Sequence, residues 1–124
     1  MQDLEVAFKA LVLFKFSEDC EADVFVGSPV MAEAVKTMLN AIEAHWSSVG
    51  REDKAREWRE LYSAPSLERR VDRVNLVAEY VERSRKWELL TREERLQWLR
   101  VAIAPYELDD EALDSTFHHL LILK

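Results

Sequence analysis

Asp110, Asp114 and His118 recur at intervals of four near the end of this chain, a spacing that puts all three side chains on one face of a helix. Two carboxylates and an imidazole so placed could ligate a divalent metal. Metal sites in helical bundles draw ligands from several facing helices. Glu33, Glu43 and His45 are side chains of the right type, but nothing in the sequence brings them close. The competing reading is a solvated acidic face on which Asp114 pairs with His118, near a helix carboxy terminus where positive charge is favoured. His119 falls on a different face.

A second set combines arginine with aromatic side chains. Arg69, Arg73, Leu76, Tyr80, Arg83 and Trp87 follow one another at spacings of 4-3-4-3-4. Such a mixture is enriched at protein contacts, because it joins large apolar area to directional hydrogen bonds. It could also hold phosphates and stack on bases. Glu68, Asp72, Glu79 and Glu82 share the same stretch and weaken the nucleic-acid reading. The alternative is that Leu76, Tyr80 and Trp87 belong to the core while the arginines pair with nearby carboxylates. Arg69, Arg73, Tyr80, Arg83 and Trp87 are therefore the candidate partner-binding residues.

Other chemistry is absent from the sequence. Cys20 is the only cysteine, so neither an intrachain disulfide nor a zinc ribbon can form, and Asp19 and Glu21 beside it make its thiolate scarce. With glycine only at positions 27 and 50, no phosphate-binding loop or dinucleotide fingerprint exists. The G-x-S-x-G elbow and H-E-x-x-H helix are missing too. No cofactor site is expected, and an enzymatic role is the weaker expectation.

The elements that would position these residues are helical. Two glycines and three prolines in 124 residues leave little material for the tight turns of an all-β fold. At this length the chain predicts a single domain, residues 1–124. Gly27-Ser28-Pro29 starts a helix running to about Trp46, with Val35, Met38, Leu39 and Ile42 inward. A third helix covers about Glu52 to Tyr62 and is broken by Ala64-Pro65. Ser66 caps a long helix to about Leu89, whose seam is Leu67, Val71, Val74, Ala78 and Val81. Thr91 and Glu94 form a capping box for the next helix, which ends before Pro105. The last helix starts at Asp109 or Asp110 and carries Leu113, Phe117, Leu120 and Leu121. Residues 3–16 suit a buried helix better than a strand, although Phe8, Ala10, Val12, Phe14 and Phe16 also alternate and could form a short hairpin with Val24-Phe25-Val26. The expected fold is all-α, with five or six helices in a bundle or orthogonal array, and with a short β-hairpin near the amino terminus as the alternative.

Charge narrows the function classes. The formal net charge is −7, which repels nucleic acid and anionic membranes. It divides into −5 over residues 1–50, +2 over 51–100 and −4 over 101–124. The leading charges Asp3 and Glu5 do not suit a signal peptide, and no stretch approaches a membrane span, so a cytoplasmic location is expected. These features favour a small acidic protein-interaction module, an inhibitor or regulatory partner among them, that binds another protein or its own copy as a homodimer. The alternatives are metal or small-ligand binding on the last helix, and nucleic-acid binding through residues 51–100.

Overall fold

The computed structural model describes residues 1–17 and 26–122. Among them lie eight α-helices and no strand. The amino-terminal hairpin is not formed: α1 spans Gln2–Lys15, so the alternating run from Phe8 is helical. Residues 24 and 25 of the proposed second arm, and Cys20, lie outside the described residues. Acidic Asp3 and Glu5 in the first turn and Lys15 in the last suit the helix dipole. Phe8, Val12 and Lys15 are its buried face.

Helix α2 (Pro29–Ser48) begins as its sequence signals indicate, with the Ser28 hydroxyl accepting from the Met31 amide at 3.2 Å. It ends in a Schellman turn. Gly50 takes φ 78°, its amide reaches the Ser47 carbonyl, and the Arg51 amide reaches that of Trp46 at 2.8 Å. Val35, Leu39 and Ile42 are buried from this helix, which packs against both α1 and α3 (Glu52–Glu60).

The long fourth helix is divided. Helix α4 (Ala64–Arg69) starts at Ser63 rather than Ser66, with Pro65 in its first turn, where proline is tolerated. Helix α5 (Val71–Arg83) follows after Arg70, whose φ −98° and ψ 68° interrupt the helical path. Beyond Ser84, Trp87–Leu89 form one 3-10 turn. Of the expected seam, Leu67 and Val81 are buried and Val74 and Ala78 pack against the core, whereas Val71 beside the break is 61% exposed.

A local ion pair marks the division. Arg70 grips Asp72 through Nε at 3.1 Å and Nη2 at 3.0 Å, and Arg51 holds Asp53 in the same way at the start of α3. In each case the arginine stands at the N-cap and the aspartate in the first turn. The arginine side chain is thereby folded back over a helix start, where the carboxylate also favours the exposed amides.

Helix α6 (Arg92–Ile103) has its capping box in full. The Thr91 hydroxyl accepts from the Glu94 amide at 3.2 Å, while the Glu94 carboxylate accepts from the Thr91 amide at 3.0 Å. Replacing Thr91 with Ala should lower unfolding free energy by about 1 kcal/mol in urea titrations; an unchanged midpoint would show that the box contributes nothing. The last helix is also divided, into α7 (Asp110–Thr116) and α8 (His118–Leu121), at Phe117. Among the described residues, these two divisions help turn the expected five or six helices into eight.

Edge-to-face aromatic contacts run through the core. Phe8 meets Trp58 at 6.0 Å and Tyr62 at 5.2 Å, Tyr62 meets Tyr106 at 5.3 Å, and Tyr106 meets Phe16 at 5.9 Å. These contacts join α1, α3 and the segment after α6. Rings at this spacing attract through their quadrupoles in addition to the area they bury.

Candidate functional site

The five candidate partner-binding residues do not share one surface. Arg69 is exposed at the end of α4, and the break at Arg70 rotates it out of register with the residues that follow. Arg73 is buried, donating from Nη1 to the Tyr106 hydroxyl at 2.8 Å. Tyr80 is half-buried and lies so close to Gly27 that a Cβ there would fall 1.8 Å from its hydroxyl oxygen. With Gly27, Trp98 and Val101 it lines a mainly apolar cleft of about 360 Å³. Arg83 is exposed at the end of α5, whereas Trp87 is buried beyond it.

The acidic face of the last helix is divided in the same way. Asp110 and Asp114 belong to α7 and His118 to α8. Asp110 pairs with Arg100, and Asp114 accepts from Arg92 at 3.0 Å with His118 Nδ1 at 3.6 Å. Glu43 is bound to Arg59. Among the described residues, no three His, Cys, Asp or Glu side chains come together as a metal site. Five of the thirteen basic residues of the middle segment form similar pairs: Arg51, Arg59, Arg70, Arg92 and Arg100 all hold carboxylates.

Three cations are buried instead, and none pairs with a carboxylate among the described residues. Lys15 is fully buried, and its Nζ donates to the carbonyls of Val101 at 2.8 Å and Ala104 at 2.5 Å. Burial, and secondarily the charge of Lys36, lowers its pKa to about 7. Arg73 is the second, with its guanidinium carbon 5.0 Å from the Phe16 ring centre. Arg95 is the third. Its Nε donates to the Trp87 carbonyl at 3.1 Å and its Nη1 to that of Leu120 at 3.0 Å. The Trp87 indole donates to the same Leu120 oxygen at 3.2 Å.

Lys15 and Arg95 were legible in principle. Lys15 follows Phe8 and Val12 at seven and three residues, and Arg95 precedes Leu99 and Ala102 by four and seven. Each falls on the apolar face of its helix. Periodicity counted over apolar residues alone passes over a cation on that face.

Arg95 and Trp87 form the floor of a cleft of about 380 Å³ between the end of α5 and α8. Ser84, Arg85 and Glu82 border it on one side, and His119, Leu120 and Ile122 on the other. His119 Nε2 lies 3.9 Å from Glu82 across the cleft.

A different surface runs along α1. Val6 is 61% exposed and Leu13 64%, and Ala7 and Ala10 between them are also exposed. The neighbouring charges turn toward the body of the protein. Glu5 accepts from the Trp46 indole at 3.2 Å, and Lys9 Nζ lies 5.2 Å from the centre of the Trp58 ring. Among the described residues, the strip of Val6, Ala7, Ala10 and Leu13 therefore carries no charged side chain, with exposed Lys9 at its flank, on a chain with 33% charged residues.

No protein-family model, curated protein or solved structure matches this chain. Among the described residues, no helix is long and apolar enough to cross a membrane.

Proposed function

We propose that this protein is an interaction module that pairs with a second copy of itself through the outward face of α1. The carrying observation is the uncharged strip formed by Val6, Ala7, Ala10 and Leu13. Two chains of charge −7 repel each other, so a contact between them is least costly where neither presents charge. A basic partner would gain more from the acidic surfaces elsewhere.

The strip also complements itself. An antiparallel pair of α1 helices related by a twofold axis at Ala10 places Ala7 of one copy opposite Leu13 of the other. The small residue makes room for the large one, and Ala10 on the axis permits close approach of the backbones. One helix face gives an interface of the small class, below about 1,200 Å² in total. Association should therefore be reversible and concentration-dependent.

Leu13→Glu tests the reading, because the side chain is exposed and its replacement leaves the core intact. Sedimentation equilibrium should show a monomer–dimer mixture for the native chain and a monomer for the variant, with equal helicity by circular dichroism. Added salt should leave the native dimer intact or strengthen it, since it screens like charges. A native chain that stays monomeric up to its solubility limit, or a variant that dimerises equally well, would sink the proposal.

A further inference from the structure

We infer that the cleft between the end of α5 and α8 binds a small organic monocarboxylate, with Arg95 as the anchor for its oxygens. This site is separate from the α1 face and does not depend on pairing.

Arg95 is only 6% exposed, and its two hydrogen bonds go to neutral backbone carbonyls. Among the described residues it makes no ion pair, and its Nη2 has no hydrogen-bond partner. The residue nevertheless lines the cleft. A buried guanidinium without a counter-anion is costly, and its planar fork suits two oxygens of one carboxylate. The two carbonyls and the Trp87 ring, 5.2 Å from its carbon, fix its orientation in advance.

The walls define the rest of the ligand. Trp87, Leu120 and Ile122 offer apolar surface, and Ser84, Arg85 and His119 carry further hydrogen-bond donors. Glu82 and Glu88 also line the cleft and balance Arg85 and Arg95 in formal charge. The lining therefore has no net charge, so the anchor is the local Arg95 fork, and the two charges of a phosphate monoester meet more repulsion from the glutamates than the one of a carboxylate. The volume of about 380 Å³ lies in the range of small-molecule sites. The chemical class is an amphipathic acid: a single carboxylate on an apolar or aromatic body.

Phenylacetate, phenylacetamide and phenyl phosphate are suitable probes, added to the full chain while the Trp87 indole N–H resonance is followed. That proton shares the Leu120 oxygen with Arg95 and so reports on the cleft. Phenylacetate should shift it saturably, and the amide should bind about tenfold more weakly or worse. Arg85→Ala should weaken phenylacetate several-fold, and Glu82→Gln should tighten it. Both residues are exposed at the cleft edge, so folding is preserved even where Arg95→Lys fails to fold. Equal binding of acid and amide would overturn anion recognition. Tighter binding of phenyl phosphate would overturn the single-charge assignment, and the absence of any shift at millimolar phenylacetate would overturn the site.

Discussion

Between about pH 6 and about pH 9.5, the unfolding free energy of this protein is expected to rise by about 3 kcal/mol through Lys15 alone. In the folded chain the amine has a pKa of about 7, against 10.5 for an ordinary lysine. Loss of hydration is the larger cause and the charge of Lys36 the smaller. Below pH 7 both folded and unfolded chains carry the proton, and the folded chain bears the full cost of burying it. Between the two pKa values the unfolded chain binds more protons than the folded one, so stability increases with pH. Tyr62 works in the opposite direction at the alkaline end. Burial raises its pKa, so the unfolded chain ionises first and stability falls above about pH 10. The window is therefore best closed at about pH 9.5.

Lys15→Met isolates this effect. The methionine fills the same channel without charge, but it leaves the Val101 and Ala104 carbonyls without their donor. Each unmet acceptor costs about 1–3 kcal/mol. At low pH that loss and the relief of the buried charge nearly cancel. At high pH only the loss remains, and the variant is the less stable protein. Urea unfolding of both proteins at the two pH values measures the difference without reference to the offset. Parallel pH profiles for native chain and variant would show that Lys15 does not titrate in this window.

The parts of the fold that were legible in the sequence are those with strong local chemistry. Ser28 with Pro29 and Thr91 with Glu94 satisfy amides within one turn of themselves, and both helix starts lie where their residues indicate. The division at Arg70 was not legible, because no glycine or proline marks it and a good apolar spacing runs through it. It coincides with an ion pair from Arg70 to Asp72 two residues on, an arrangement that recurs with Arg51 and Asp53 at the start of α3. The division at Phe117 similarly separates His118 from the helix carrying Asp110 and Asp114. Once a helix is broken, spacing is a weaker guide to a shared face: Asp114 still meets His118 across the division, but Asp110 turns to Arg100, and the arginine–aromatic stripe is dispersed. The cleft, built from α5, the 3-10 turn, α6 and α8, left no contiguous trace. The buried cations were hidden for another reason: an arginine or lysine on an apolar face is ordinarily read as reaching to solvent along its stem.

Arg73 gives the second large effect, and it changes what a binding experiment on this residue would mean. The guanidinium is buried with Nη1 on the Tyr106 hydroxyl, and its Nε has no partner. The Phe16 and Tyr106 rings lie 5.0 and 5.9 Å from its carbon, and contacts of this kind return about 2 kcal/mol when desolvated. That falls short of the several kcal/mol needed to bury an uncompensated cation. Tyr106→Phe removes its one hydrogen bond and should cost about 2–3 kcal/mol. Arg73→Met in the Tyr106→Phe background then removes the stranded charge and leaves no polar atom behind. The double variant should exceed the native chain in stability by about 1–4 kcal/mol, so that two changes together reverse the sign of one. Arg73→Ala instead opens a cavity and should cost about 2–4 kcal/mol. A lost partner in an Arg73→Ala variant would therefore report damage to the core rather than a missing contact. Urea unfolding of the four proteins in the cycle decides the matter, and a double variant whose loss equals the sum of the two single losses would show that the charge is compensated in some other way.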